Sequence, residues 1–239
     1  MINALISDLH LEESNPHIAD IFKKFLKDCT SSASALYILG DFFERWLGDD
    51  DLTPFNRMII NALSEATNKG LPVYFTHGNR DFLIGRKFLR MTGCQLLPDE
   101  FVTPIFGTPI LLMHGDTLCT QDVNYLKFRK KSRSFLFKFL MKIYPLEKRR
   151  AMADRYRKAS KMHISQLPEH IMDVTQSEVA RVMKKHHVLH LIHGHTHRPF
   201  VHHFELDKQP ATRTVLGAWH EKGNALICRE DGSREMIDL

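Results

Sequence analysis

The sequence predicts an α/β fold, a core of buried strands alternating with helices and interrupted by a helical insertion. Three observations carry this. Short apolar runs alternate with helically spaced apolar residues through the first half of the chain. A long middle stretch has no convincing strand, and strand signals return after it.

Taken in order, Ile2 to Ser7 reads as a buried strand. Between Pro16 and Cys29, apolar Ile18, Ile21, Phe22, Phe25 and Leu26 have helical spacing. Ala35 to Leu39 is the next strand. Pro54 to Lys69 is the next helix, with proline suited to its first turn and Gly70 placed to close it. Leu71 to Phe75 is again a strand. Val102–Phe106 and Ile110–Met113 follow as strands across the turn Gly107-Thr108-Pro109. From Asp122 to about His187 the pattern is helical, broken near Pro145 and Pro168. Strands resume at Val188–Ile192, Phe200–Phe204, Thr212–Leu216 and Asn224–Ile227. With no internal repeat or low-complexity linker, residues 1–239 read as a single domain with a helical insertion at approximately 122–170.

The 239 residues suffice to bury a sizeable core, and 43% hydrophobic with 26% charged residues is ordinary for a globular protein. No apolar run reaches the ~18 residues of a membrane-spanning helix. Met1-Ile2-Asn3-Ala4-Leu5 lacks the basic start and apolar core of a secretory signal. Cys29, Cys94, Cys119 and Cys228 form no Cys-x-x-Cys pair, so reduced thiols in the cytoplasm are expected rather than a disulfide framework or a zinc ribbon. Charge is unevenly spread. Lys127 to Lys161 holds fourteen Lys/Arg and two acids, a local +12 that leaves −7 on the rest of a +5 chain. Such asymmetry points to an anionic partner: a phosphate-bearing substrate, a membrane surface or nucleic acid.

The chemistry gathers at strand ends. Asp8-Leu9-His10 follows the first strand, Gly40-Asp41 the second, and His77-Gly78-Asn79-Arg80-Asp81 the third. His114-Gly115-Asp116 and His193-Gly194-His195-Thr196-His197 follow two later strands. Open α/β sheets bind ligands just beyond the C-terminal ends of their strands, so five such clusters should converge. Glycines there allow sharp turns and close approach. Asp8, His10, Asp41, Asn79, His114, His195 and His197 offer carboxylate, imidazole and amide oxygen but no thiolate, which suits Mn²⁺, Fe²⁺ or Zn²⁺. Seven ligands exceed the need of one catalytic ion and suit two sharing a bridging carboxylate, about 3.5–4 Å apart. Any one of these histidines taken alone would more simply be a packing or capping residue.

These residues, in this order, resemble the calcineurin-like metallophosphoesterases, whose pattern is Asp-x-His, Gly-Asp, Gly-Asn-[His/Arg]-Asp/Glu, His-Gly and Gly-His-x-His. The resemblance implies a four-layered α/β/β/α sandwich. It places Asp8, His10, Asp41 and His197 on one metal, and Asp41, Asn79, His114 and His195 on the other, with Asp41 bridging. Further stretches, Trp46-Leu47-Gly48-Asp49-Asp50, Phe82-Leu83, Thr117-Leu118-Cys119 and Leu216-Gly217-Ala218-Trp219, are similar to the branch of that family acting in lipid A biosynthesis. That branch implies Mn²⁺, hydrolysis of a UDP-linked diacylated glucosamine to UMP and the sugar 1-phosphate, and a peripheral place on the cytoplasmic face of the bacterial inner membrane. Asp41, Asn79, Arg80 and His195 would serve catalysis, and Asn79, Arg80, Asp122, Ser160 and His195 would contact substrate, with Arg157 a further phosphate contact. Arg80 stands where many family members have histidine, and a guanidinium there reads as a phosphate clamp. Ile164 and Leu167 replace polar or basic residues, so contact there would be apolar or through backbone. Asp81 and Asp116 could orient ligand histidines or arginines, or be simple turn aspartates.

The basic block sets Phe135, Phe137, Phe139, Leu140, Met141 and Ile143 among Lys131, Arg133, Lys138 and Lys142. An apolar face flanked by cations suits an anionic membrane surface or a pocket for acyl chains. The plainer alternative is a solvated basic helix pair with ordinary core aromatics. No nucleic-acid-binding motif is present, and neither nucleic acid nor an obligate protein partner is expected. Two other readings use the same ligands: a dinuclear hydrolase for a nucleotide or phosphoprotein, and a catalytically dead binding scaffold.

Overall fold

The computed structural model describes residues 1–164 and 173–239, with backbone alone for 159–164. The alternating first half builds β1 (Ile2–Ile6), α1 (Pro16–Ser32), β2 (Ala33–Ile38), α2 (Pro54–Asn68) and β3 (Val73–Phe75). A short α3 (Arg86–Thr92) and β4 (Gln95–Leu96) follow, then the hairpin β5 (Phe101–Ile105) and β6 (Thr108–Leu112). Three helices come next, α4 (Val123–Ser132), α5 (Phe135–Ile143) and α6 (Leu146–Ile164), with Pro145 separating the last two. The chain closes with α7 (Gln176–Lys185), β7 (His190–His193), β8 (Phe200–Leu206), β9 (Gln209–Val215), β10 (Asn224–Arg229) and β11 (Arg234–Asp238). Pro168, where a second break is expected, lies outside the described residues.

Strand alternation alone suggests one buried sheet; the chain makes two. One runs β11-β10-β1-β2-β3-β4 and the other β5-β6-β7-β9-β8. The side-chain period of two explains how they stack. Ala4 and Ile6 of β1, with Leu36 and Ile38 of β2, face a core shared with α1, α2 and Phe88 of α3. The alternate residues Leu5, Ala35 and Tyr37 face Ile110, Leu112 and Ile192 of the other sheet. The far side of that sheet, through Leu111, Leu191 and Ala211, packs on Val179, Val182 and Met183 of α7. Three apolar cores between four layers give the α/β/β/α sandwich. In the first sheet β1, β2, β3 and β4 run parallel, and in the second β6, β7 and β9 do. The loops after β1, β2, β3, β6 and β7 meet at one edge of the sandwich.

Helix α3 and strands β4 and β11 go unpredicted; β4 has only two residues, both exposed, and the other two have separate physical reasons. Helix α3 has only Phe88 and Thr92 buried and no local side-chain cap, so its pattern is short and its start unmarked. Its N-terminus is instead capped across space. The Asp49 carboxylate accepts from the backbone N–H groups of Gly85 (2.9 Å), Lys87 (3.0 Å) and Phe88 (3.1 Å), and from Trp46 Nε1 (3.1 Å). Gly93, at φ 71°, ends the helix in the left-handed region. Strand β11 pairs with β10 at the sheet edge and carries Arg234, Glu235 and Asp238, the charges that keep edge strands from pairing further and that mask a strand pattern.

Replacing Asp49 with alanine leaves three helix N–H groups without their acceptor. The expected loss is about 1–3 kcal/mol of unfolding free energy in urea titrations; a change under about 0.5 kcal/mol, the scale of ordinary surface substitutions, would contradict the capping role.

Candidate metal centre

Local backbone geometry is unusual where the ligand candidates sit. Asp8 (φ 56°), His10 (51°), Asp41 (49°), His195 (69°) and His197 (58°) all occupy the left-handed region. For residues other than glycine this conformation is uncommon and costs roughly 1–2 kcal/mol each. Five such residues at the ends of three strands mark a site where geometry overrides backbone preference. The neighbouring loops hold one another in place. His10 N donates to Asp41 O (3.0 Å), Leu11 N to Phe42 O (2.9 Å), and Glu44 N to Leu11 O (3.1 Å), a miniature ladder between the loops after β1 and β2.

The seven candidates come together. A carboxylate oxygen or imidazole nitrogen from each of Asp8, His10 and His197 lies within 4.8 Å of the others, and the same holds for Asp8, Asp41 and His114. Asn79 Oδ1 is 3.0 Å from both His114 Nε2 and His195 Nδ1. The carboxylate shared by the two triads is Asp8, whereas the family pattern makes Asp41 the bridge. Asp41 Oδ1 accepts the Arg80 backbone N–H at 2.8 Å and lies 3.8 Å from His114 Nε2.

Glycines make the convergence possible at two points. A Cβ on Gly78 would lie 2.1 Å from Asp41 Oδ1, and one on Gly194 would lie 2.1 Å from Asp8 Oδ2. Only a residue without a side chain lets those carboxylates sit against the next strand's loop.

Electrostatics fit a divalent pair. Asp8, Asp41 and Asp81 are buried together. Burial, reinforced by the Asp41 carboxylate, pushes Asp81 up to about 7. Burial pulls His195 down to about 4 and also lowers His10, leaving neutral rings with lone pairs to give. Burial also disfavours the His114 cation, but Asp41, Asp8 and Asp116 raise it on balance. The His114 ring donates Nδ1–H to Leu39 O (2.9 Å), which leaves Nε2 as the ligating atom. His10 Nε2 and His197 Nε2 lie 3.2 Å apart, both near Asp8 Oδ1. Clustered lone pairs and buried carboxylates of this kind need a cation between them. The donor set, oxygen and imidazole without sulfur, suits Mn²⁺, Fe²⁺ or Zn²⁺.

The other candidates have varied surroundings. Arg80 Nη1 donates to Glu44 Oε1 (2.7 Å), and Arg157, from α6, contacts the same oxygen. A cleft of about 450 Å³ lined by Glu12, Asp154, Arg157 and Lys158 opens beside it. Asp122 caps α4 by accepting from Tyr125 N (2.9 Å). The Ser160 side chain and Leu167 lie outside the described residues, as does the Ile164 side chain. Asp81 binds backbone rather than histidine or arginine, accepting from Gly78 N (2.7 Å) and Phe42 N (2.8 Å) and so tying two ligand loops together. Asp116 accepts from Arg129 Nε (2.6 Å) and from the Tyr125 hydroxyl. Burial disfavours its charge, but His114, Arg129, His195 and Arg133 hold it well below the usual carboxylate range.

Three residues at the site, Glu44, Arg133 and Arg213, escape a strand-end reading. Glu44 follows Asp41 by three positions, past the point where the motif stops. Arg133 Nη2 donates to Gly78 O at 2.9 Å, bracing the Asn79 loop from α4's C-terminal end. His193, fully buried, donates to Gly194 O (2.8 Å) and accepts from Arg213 Nη1 (3.2 Å), which supports the loop carrying His195. The clue available for Glu44 is its spacing from Asp41; Arg133 and Arg213 have no local signal.

Comparisons with known proteins agree with this geometry. Residues 4–199 match the calcineurin-like phosphoesterase family. A UDP-2,3-diacylglucosamine hydrolase of Azotobacter vinelandii is 51% identical over 98% of this chain and 96% of its own length. A protein of the same description from Coxiella burnetii is 49% identical over 98% of both. Among solved structures, an archaeal phosphodiesterase aligns over the whole of both chains with a TM-score of 0.52 at 15% identity, a likeness of fold alone. A family match across most of the chain, and relatives identical at about half of their positions, leave one conclusion: the chain belongs to the calcineurin-like phosphoesterase family.

Proposed function

We propose that this protein hydrolyses the pyrophosphate bond of UDP-2,3-diacylglucosamine, giving UMP and 2,3-diacylglucosamine 1-phosphate, a step of lipid A biosynthesis. The observation that carries the reading is the convergence of seven oxygen and nitrogen donors in a strained cage beside two arginines, in a chain half-identical to hydrolases described by that substrate. Asp8, His10, Asp41 and His197 would hold one divalent ion, and Asp41, Asn79, His114 and His195 the other, with Mn²⁺ the metal we expect. Two such ions, when bound, would supply a water nucleophile at neutral pH and neutralise charge on the attacking and leaving oxygens.

The chain's own groups do the rest. Arg80 and Arg157 receive the non-bridging phosphate oxygens through the paired N–H donors of a planar guanidinium. Asn79 and neutral His195 lie where charge grows on the equatorial oxygens. The new P–O bond forms at the uridine-side phosphorus. The bridging P–O bond breaks, and its electron pair leaves with the sugar phosphate, a leaving group stable enough to need no general acid.

Helix α5 favours a lipid-linked substrate over a soluble nucleotide or phosphoprotein. Phe135 (85% exposed), Leu136 (65%), Phe139 (50%) and Ile143 (60%) line one exposed stripe beside Lys131 and Lys142. An apolar patch flanked by lysines seats on an anionic phospholipid surface and meets acyl chains there. We place the protein peripherally on the cytoplasmic face of the inner membrane, where a lipid-linked substrate of the kind named for its relatives would be met; among the described residues no helix is long and apolar enough to cross a membrane.

Turnover of UDP-2,3-diacylglucosamine should require added Mn²⁺ and stop with chelator. Asp41→Ala should lose metal and at least about 100-fold in rate; near-wild-type activity would remove Asp41 from the metal site. In ¹⁸O-labelled water the label should enter UMP, and label in the lipid product would place the attack on the other phosphorus. The double substitution Phe135→Ser and Phe139→Ser should weaken co-sedimentation with phosphatidylglycerol vesicles about tenfold or more, while hydrolysis of soluble bis-p-nitrophenyl phosphate persists. Unchanged sedimentation would make α5 an ordinary surface.

A further inference from the structure

Glu44 makes three contacts that no motif announces. Oε1 accepts from Arg80 Nη1 at 2.7 Å and also meets Arg157 Nη2. Oε2 lies 2.8 Å from His10 Nδ1, with the ring N–H off the line to the oxygen. The carboxylate is 10% exposed, and its backbone N–H is tied to Leu11 O in the small ladder that also places His10 and Asp41. One carboxylate therefore touches a metal-ligand candidate, an arginine of the core and an arginine of helix α6.

The surroundings show what this junction is for. The Nε atoms of Arg80 and Arg157 are both buried without a hydrogen-bond partner among the described residues. Glu44 holds each guanidinium at one nitrogen; Arg80 Nε also faces Asp41 Oδ2 at 3.7 Å, beyond hydrogen-bond reach, and each guanidinium keeps an N–H for an incoming oxygen. Buried donors left unpaired are costly, so this arrangement suits an anionic ligand. On the other side, an anion beside Nδ1 of His10 favours the tautomer that leaves the Nε2 lone pair facing Asp8 and His197. The contact also belongs to a longer seam. Arg45 pairs with Asp154 (2.6 Å), Arg150 with Asp51 (2.6 Å), and Arg149 with Asp50 and the Leu47 carbonyl (2.7 Å), all joining α6 to the loop after β2. Glu44–Arg157 is the one pair of these that also reaches a ligand candidate.

We propose that Glu44 is a positioning residue that fixes the His10 ring and presents Arg80 and Arg157 together to a substrate phosphate, so that docking of α6 is coupled to the metal site. The part concerning the arginines rests on the function proposed above; the part concerning His10 does not.

The test uses the full chain with Glu44→Ala, Glu44→Gln, Arg157→Ala and the double variant Glu44→Ala/Arg157→Ala. Calorimetric titration of metal-free protein with Mn²⁺ alone should show affinity lowered about tenfold or more by either Glu44 substitution, the scale of losing a carboxylate behind a ligand histidine. With UDP-2,3-diacylglucosamine, Glu44→Ala should raise KM about tenfold with a smaller change in kcat. Adding Arg157→Ala should raise KM little further, because both act through one pair. Glu44→Gln keeps the size of the side chain and carries the test if the alanine variant folds poorly. Mn²⁺ affinity and KM within twofold of wild type in Glu44→Gln, or effects of Glu44→Ala and Arg157→Ala that multiply independently, would overturn the proposal. Wild-type protein inactive on that substrate would instead overturn the functional reading, and the Mn²⁺ titration would still judge Glu44.

Discussion

The structure turns on the burial of Asp8 and Asp41 side by side at the ends of adjacent parallel strands. Two carboxylates out of water repel each other and lose hydration, a penalty of several kcal/mol per ion that only cations or directed donors offset. The protein supplies some donors itself. His195 N–H reaches Asp8 Oδ2 at 2.8 Å, and Arg80 N–H reaches Asp41 Oδ1 at 2.8 Å. Both donors come from other strand loops, so satisfying the carboxylates also draws the loops together. The left-handed backbone at Asp8, Asp41 and His195 is the accompanying cost. The cage is thus a site shaped for charge, with backbone donors already directed at its two carboxylates.

The helical region between β6 and α7 is governed by the same acidity on a larger scale. A block carrying +12 beside a remainder carrying −7 invites an external anion as its explanation. Much of that charge is answered internally. Arg129 and Arg133 pair with Asp99 and Asp116, Arg149 and Arg150 with Asp50 and Asp51, and Arg157 with Glu44. The division of labour follows side-chain chemistry: the planar guanidinium makes the internal pairs, while Lys131 and Lys142 stay exposed beside the apolar stripe of α5. The block is therefore neither a simple solvated face nor wholly a ligand surface. Five of its arginines dock it, and its described lysines other than half-buried Lys138 face outward.

Much of this was legible from residue order. The seven donor positions follow apolar runs, and a run followed by Asp, Asn or His is a local signal that survives without an alignment. Strand positions were readable within a few residues because Ile2 to Ser7 and its counterparts are short apolar runs, although such a run cannot say that one face meets helices and the other a second sheet. What stayed hidden is non-local. Asp49 caps a helix 36 residues away, measured to Gly85, and Arg149 reaches Asp50 across 99 positions. Asp122 is a substrate contact by resemblance, and its carboxylate also accepts a helix N–H, a second role that the resemblance does not announce. Glu44 lacks a motif because its value lies in three partners brought from three different loops and helices.

The split of the donors between the two sheets bears on how the site keeps its shape. Asp8, His10, Asp41 and Asn79 follow strands of the first sheet, and His114, His195 and His197 follow strands of the second. Their separation is set by the apolar layer between the sheets, where Leu5 and Tyr37 pack against Ile110, Leu112 and Ile192. Close-packed cores deform little, so this layer acts as a spacer that short loops alone could not provide. Asp81 and the Leu39 carbonyl add crosslinks at the rim: the first binds the loops after β2 and β3, and the second holds the His114 ring from the opposite sheet. A site assembled from one sheet could open as its loops moved. Here opening requires the two sheets to part, and the ion pairs that dock α4 and α6 brace the same rim from outside.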